Sequence, residues 1–166
     1  EALSFQREIT LTQNGEPVEF QDALGLFVNT DGKVYVADKK ARVVYVTDRE
    51  GVVSGTIGAP PADKVEEGFD YTPSKVVVDT AGIVYVISAN TYSGALQYDE
   101  NYAFVGFYGS ERVTVTPKLL MEMMWKRLLS EEQAAGMMRS VPTSFINFDI
   151  DADNFIYTLK GGTGEG

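Results

Sequence analysis

The chain contains neither cysteine nor histidine. Without histidine there is no Ser-His-Asp relay, no Cys-His pair and no His-ligated zinc. Without cysteine there is no disulfide frame, thiolate nucleophile or iron–sulfur ligation. Basic residues are also scarce: 14 Lys and Arg stand against 24 Asp and Glu, a net charge of −10. Nucleic acid is therefore excluded as an expected partner, because phosphate binding needs a basic surface. Anionic membrane surfaces are disfavoured for the same reason. No apolar run approaches the roughly 18 residues of a transmembrane segment. No basic stretch followed by an apolar run marks a secretion signal, and Glu1 in place of Met leads to the expectation of a piece of a longer protein. What is present across 166 residues, 44% hydrophobic and 23% charged, is the composition of one folded domain.

The chain repeats itself. Leu26–Val36, Val76–Val86 and Phe148–Thr158 each read as alternating apolar residues, a polar turn, then an aliphatic-Tyr pair. Gly32, Gly82 and Asn154 hold equivalent turn positions, and Gly and Asn are the types that accept the positive φ of hairpin turns. Tyr35, Tyr85 and Tyr157 are equivalent too. A second register agrees: Asp48, Gly55 and Gly58 match Asp99, Gly106 and Gly109. Alternation and enrichment in Val, Tyr and Phe predict four strands per unit: Leu24–Asn29, Lys33–Ala37, Arg42–Thr47 and Val52–Ile57, then Lys75–Asp79, Ile83–Ile87, Ala95–Tyr98 and Ala103–Tyr108. Four strands in a period of about 40–50 residues is the pattern of a β-propeller blade. One such sheet cannot hide both faces, so units stack.

The step from Tyr85 to Tyr157 is longer than that from Tyr35 to Tyr85. The excess predicts a helical insertion. Thr116-Pro117 suits an N-cap and first helical position. Met121, Met124, Trp125 and Leu128 form an i, i+3, i+4, i+7 stripe, and Ser130–Gln133 is a capping box. The expected fold is all-β: about two and a half four-stranded antiparallel blades with an inserted α-helical hairpin. Its parts are a leading strand segment over 1–21 (with a strand at Ser4–Leu11), a blade over 22–59, a blade over 70–110, the helical insertion over 117–140, a half blade over 141–160 and a flexible tail over 161–166. Closed propellers use about 4–8 blades. This count therefore predicts either a fragment or closure by self-association.

Asn29-Thr30-Asp31-Gly32-Lys33-Val34-Tyr35-Val36-Ala37-Asp38, followed by Arg42-Val43 and Asp48-Arg49-Glu50-Gly51, resembles an NHL repeat. The second unit departs from that pattern at Ile87-Ser88 and Gly94-Ala95, and the third matches only across Ile150–Tyr157. The resemblance implies a six-bladed-propeller-like, extracytoplasmic bacterial protein that binds or scaffolds. Its relatives include lactonase-like hydrolases with a divalent metal on the axis. That relationship directs attention to Asn29, Asp79, Asp149 and Asp151 at the ends of innermost strands. Turn-opening Asp and Asn also cap their own backbone, the simpler account of the same residues.

Other candidates carry two readings each. Asp149, Asp151 and Asp153 alternate like the opening of a calcium loop, yet Asn154 and Lys160 stand where Gly and Glu are required. A divalent cation such as calcium is the one cofactor they would admit; otherwise they are hairpin-turn residues. Arg42 is read as an inter-strand or inter-blade ion-pair partner, or as a contact for a protein partner. Met121, Met124 and Trp125 either pack on the propeller or offer an adaptable surface to a partner or second copy. The aromatic group Tyr98, Tyr102, Phe104, Phe107 and Tyr108 either fills space between blades or stacks on carbohydrate. The leading expectation is a non-catalytic binding or scaffold module for a protein, small ligand or carbohydrate. It is placed outside the cell or in its envelope, with the cytoplasm as the alternative.

Overall fold

The computed structural model describes residues 4–89, 94–109 and 145–161. The chain opens on a small hairpin, β1 (Thr12–Gln13) with β2 (Glu16–Pro17), turned at Asn14-Gly15. Sheet one follows: β3 (Ala23–Val28), β4 (Val34–Asp38), β5 (Val43–Thr47) and β6 (Val53–Ile57), paired antiparallel in chain order. A 3₁₀ turn at Ala62–Lys64 leads into sheet two. Its strands are β7 (Pro73–Val78), β8 (Val84–Ser88), β9 (Ala95–Tyr98) and β10 (Phe104–Tyr108), again in chain order. A third unit contributes a hairpin, β11 (Phe145–Ile150) with β12 (Ile156–Lys160). Among the described residues there is no α-helix. The helical hairpin expected over 117–140 lies outside them, as does most of the tail over 161–166.

One turn design recurs five times. Asp48 Oδ1 accepts the N–H groups of Glu50 and Val52. Asp79 does the same for Ala81 and Ile83, Asp99 for Asn101 and Ala103, and Asp151 for Asp153 and Phe155. Asn29 Oδ1 accepts from Lys33. Three residues after each stands a residue in left-handed backbone: Gly32, Gly51, Gly82, Tyr102 and Asn154. The short carboxylate or amide thus supplies the acceptor that a tight turn lacks, and the glycine or asparagine takes the φ that a branched side chain resists.

Period-two alternation sends side chains to both faces. Tyr35, Ala37, Val44, Val46 and Ile57 of sheet one meet Val76, Val78, Val84, Val86, Leu96 and Tyr98 of sheet two. From the opposite face of sheet two, Val77, Tyr85, Ile87 and Ala95 meet Phe148, Ile150 and Ile156 of the third unit. Sheet two is therefore covered on both sides. The inner strands approach closely: a Cβ on Gly25 would sit 2.8 Å from the Ser74 carbonyl oxygen and 3.0 Å from Lys75 Cα. Farther out, the Tyr102 ring lies where a Cβ on Gly55 would stand.

Ser4–Leu11 differs from expectation. These residues form no strand. Their alternating Phe5, Ile9 and Leu11 supply a one-sided apolar pattern, but the segment crosses a face of sheet one rather than running along its outer edge at β6. Ile9 and Leu11 instead line a groove with Leu24, Leu26 and Val36, side chains of sheet one. The segment lies across the face and is tied to the sheet's backbone where the Arg7 guanidinium donates to the Arg49 carbonyl at 2.7 Å and, just beyond it, where the Thr12 N–H donates to the Gly51 carbonyl.

Candidate functional site at the ends of the inner strands

β3, β7 and β11 are the first strands of three successive units, and their C-terminal ends open on one cavity of about 220 Å³. Phe27, Val28, Val78 and Ile150 form its apolar walls. Its polar rim comes from the turns: Asn29 and Thr30, then Asp79 and Thr80, then Asp151 and Asn154. Repetition alone builds this site, because each unit ends its first strand with the same turn.

The rim is largely committed to the fold. Besides its two amide donors, Asp79 accepts the Tyr85 hydroxyl at Oδ2, 3.2 Å. Asp151 likewise accepts the Tyr157 hydroxyl at 2.9 Å. The Phe155 amide, aided by the Tyr157 hydroxyl and the Asp153 amide, holds the Asp151 carboxyl below its usual range. Burial, with the adjoining Asp79 carboxylate, pushes the Tyr85 phenol up to about 12. Adjacent turns are cross-linked: Asn154 Oδ1 accepts the Thr80 N–H at 2.9 Å, and Asn154 Nδ2 donates to Thr80 Oγ1 at 2.7 Å. The Thr30 hydroxyl lines the cavity and has no protein partner among the described residues. Chemically the cavity offers hydroxyl, amide and lone-pair acceptors over an apolar floor, which suits a small polar ligand.

The three aspartates singled out for a metal are not gathered. Asp149 lies within β11 and its Oδ1 accepts the Ile150 N–H. Asp151 opens the turn, and Asp153 is exposed at its tip. Among the described residues no group of three acidic side chains is placed to hold a metal ion. Of the four positions suggested for an axial metal, Asn29, Asp79 and Asp151 line the cavity and Asp149 does not. Arg42 forms an exposed ion pair with Asp70, 2.6 Å, linking sheet one to the segment that enters sheet two. Trp125, Met121 and Met124 lie outside the described residues. Most of the aromatic group packs between strands, Phe104 meeting Tyr98 and Phe107 edge to face, while Tyr108 meets Tyr85 and is itself exposed.

One structural role was not legible beforehand. Asp38, at the end of β4, is fully buried. Its carboxylate accepts the N–H groups of Gln21 at 2.7 Å, Asp22 at 3.0 Å and Ala41 at 3.0 Å. Burial raises the pKa of the acid, but the amides of Ala41, Gln21, Asp22 and Lys40 outweigh it and leave the carboxyl below its usual range. Ser88 holds the equivalent place in sheet two, where its hydroxyl accepts the Thr72 N–H and donates to the Asp70 carbonyl. The signal was present in the repeat alignment, where Asp38 falls opposite Ser88. A scan against protein-family models finds no match to this chain, and a search of curated proteins finds none either.

Proposed function

We propose that this chain is part of an NHL-like β-propeller that works as a binding or scaffold module, exported or held at the bacterial envelope, with no catalysis by the described residues. Three features support the propeller reading. The sheets run in chain order, they stack face to face, and their first strands come together at one end. The observation that carries the binding reading is the shared cavity. Three successive units contribute polar groups to it, and most of the acceptor sites of its carboxylates are taken by their own turn amides and by tyrosine hydroxyls. A hydrolase with an axial metal needs carboxylate oxygens with lone pairs free to coordinate. Those of Asp79 and Asp151 accept three protein donors each.

The test is a thermal-shift and calorimetric screen of small polyhydroxylated ligands and simple sugars against the protein and its Thr30→Val variant. Binding that weakens in the variant, with no heat on calcium titration, supports the proposal. Lactone hydrolysis that depends on an added divalent cation and falls in Asp79→Asn sinks it.

A further inference from the structure

The repeat makes the two ends of the stack comparable with its interior. Leu26 and Val28 of β3 are equivalent to Val76 and Val78 of β7, which sheet one covers. Yet Leu26 is 69% and Val28 56% exposed, against 4% for both valines. At the other end, Tyr157 is equivalent to Tyr35 and Tyr85, each of which faces the unit that follows. Tyr157 is 61% exposed, against 3% and 7%. Leu159, on the same face of β12, is exposed too. The leading face is hollowed into an apolar groove of about 560 Å³, in which Ile9, Phe20 and Leu24 join Leu26 and Val28.

The interior shows what covers each type of face: a Tyr35-type face lies on a Val76-type face. Among the described residues, one face of each type has no sheet stacked on it, at opposite ends. Charge agrees with this pairing. Arg7 is the one charged side chain among the described residues lining the groove, while Asp149, paired in register with Tyr157, is exposed on the trailing face where Phe27 and Val77 stand in the other units. The two faces therefore carry side chains of opposite sign.

We infer that the trailing face of one copy docks on the leading groove of a second copy of this chain, head to tail. The interface is heterologous, since neither face is built to meet itself, so association closes into a ring or continues as a filament. The inference rests on the repeat and the exposure of its ends, and stands whether or not the inner-strand cavity binds a ligand.

Sedimentation velocity across a dilution series tests it on the whole chain, with Leu26→Asp at the leading end and Leu159→Asp at the trailing end. Both side chains are exposed, and circular dichroism checks that each variant keeps its sheet signal. The expected result is assembly of the wild type, loss of the assembled boundary in each variant alone, and recovery of a one-to-one pair on mixing the two. Mixing restores it because each variant retains the face the other has lost. A folded wild type that stays monomeric throughout overturns the inference. Single variants that assemble like wild type, or a mixture that does not pair, also overturn it. Should either variant lose its sheet signal, Arg7→Glu and Asp149→Arg repeat the same three measurements by charge. Loss of assembly in each alone and assembly beyond a one-to-one pair on mixing then support the inference, because every junction of the mixture again joins opposite charges, and any other pattern overturns it.

Discussion

Replacing Asp38 separates a structural carboxylate from a merely conspicuous one. Its oxygens receive three backbone amides within 3.0 Å in a place closed to solvent. Hydrogen bonds to a charged acceptor contribute about 1.5–3 kcal/mol each, and burying the charge offsets part of that sum. Asp38→Ala strands three donors where water reaches poorly, so a loss of about 3 kcal/mol is expected. Asp38→Ser installs what sheet two uses at Ser88, a single hydroxyl, and should cost about half as much. Urea unfolding followed by circular dichroism gives both values, provided the slope of the transition is unchanged. The acid limb supplies a second readout. A carboxyl whose folded pKa lies below its unfolded value stabilises the fold above that unfolded value. Its contribution is lost as pH falls through the folded pKa. Wild type should therefore weaken below about pH 4 more steeply than Asp38→Ser, which has no such group at this site. A cost below about 1 kcal/mol for Asp38→Ala, or equal costs for Ala and Ser, would refute the clasp.

Two further substitutions probe the stacking and the turns. Gly25→Ala drives a methyl into the backbone of β7 and should cost about 1–3 kcal/mol, whereas Gly58→Ala, with nothing within 4 Å of the added carbon, should change stability by less than about 0.5 kcal/mol; equal effects in thermal melts would show that the inner strands are not in contact. Asn154→Ala loses both bonds to Thr80 and puts alanine at φ 66°, for an expected cost of about 2 kcal/mol, while Asn154→Gly relieves the backbone and should recover roughly half of it; urea midpoints that rank glycine below alanine would contradict this.

Local chemistry is what the sequence carried by itself. Alternating Val, Tyr and Phe located the eight strands of the two sheets to within two residues, because pairing and half-burial favour those side chains wherever a sheet forms. Gly32, Gly82 and Asn154 located the turns after the first strands, because the acceptor and the left-handed residue act within five residues of chain, whereas Tyr102 in the Asp99 turn gave no such sign. The agreement of two registers told that the units repeat. The candidate site was legible only as strand-end positions; Asn29, Asp79 and Asp151 become one cavity because three units set their inner strands side by side. Tertiary contacts alone decided the rest. Ser4–Leu11 has a strand's pattern but lies across a sheet face instead of extending an edge. Asp38 looks like a surface acid until the chain ahead of β3 folds over it. Tyr35, Tyr85 and Tyr157 are alike in sequence, and only the neighbour each one meets, or lacks, makes two of them core and leaves the third open. Such contacts join residues far apart in the chain, and no short stretch of sequence encodes what will be packed against it.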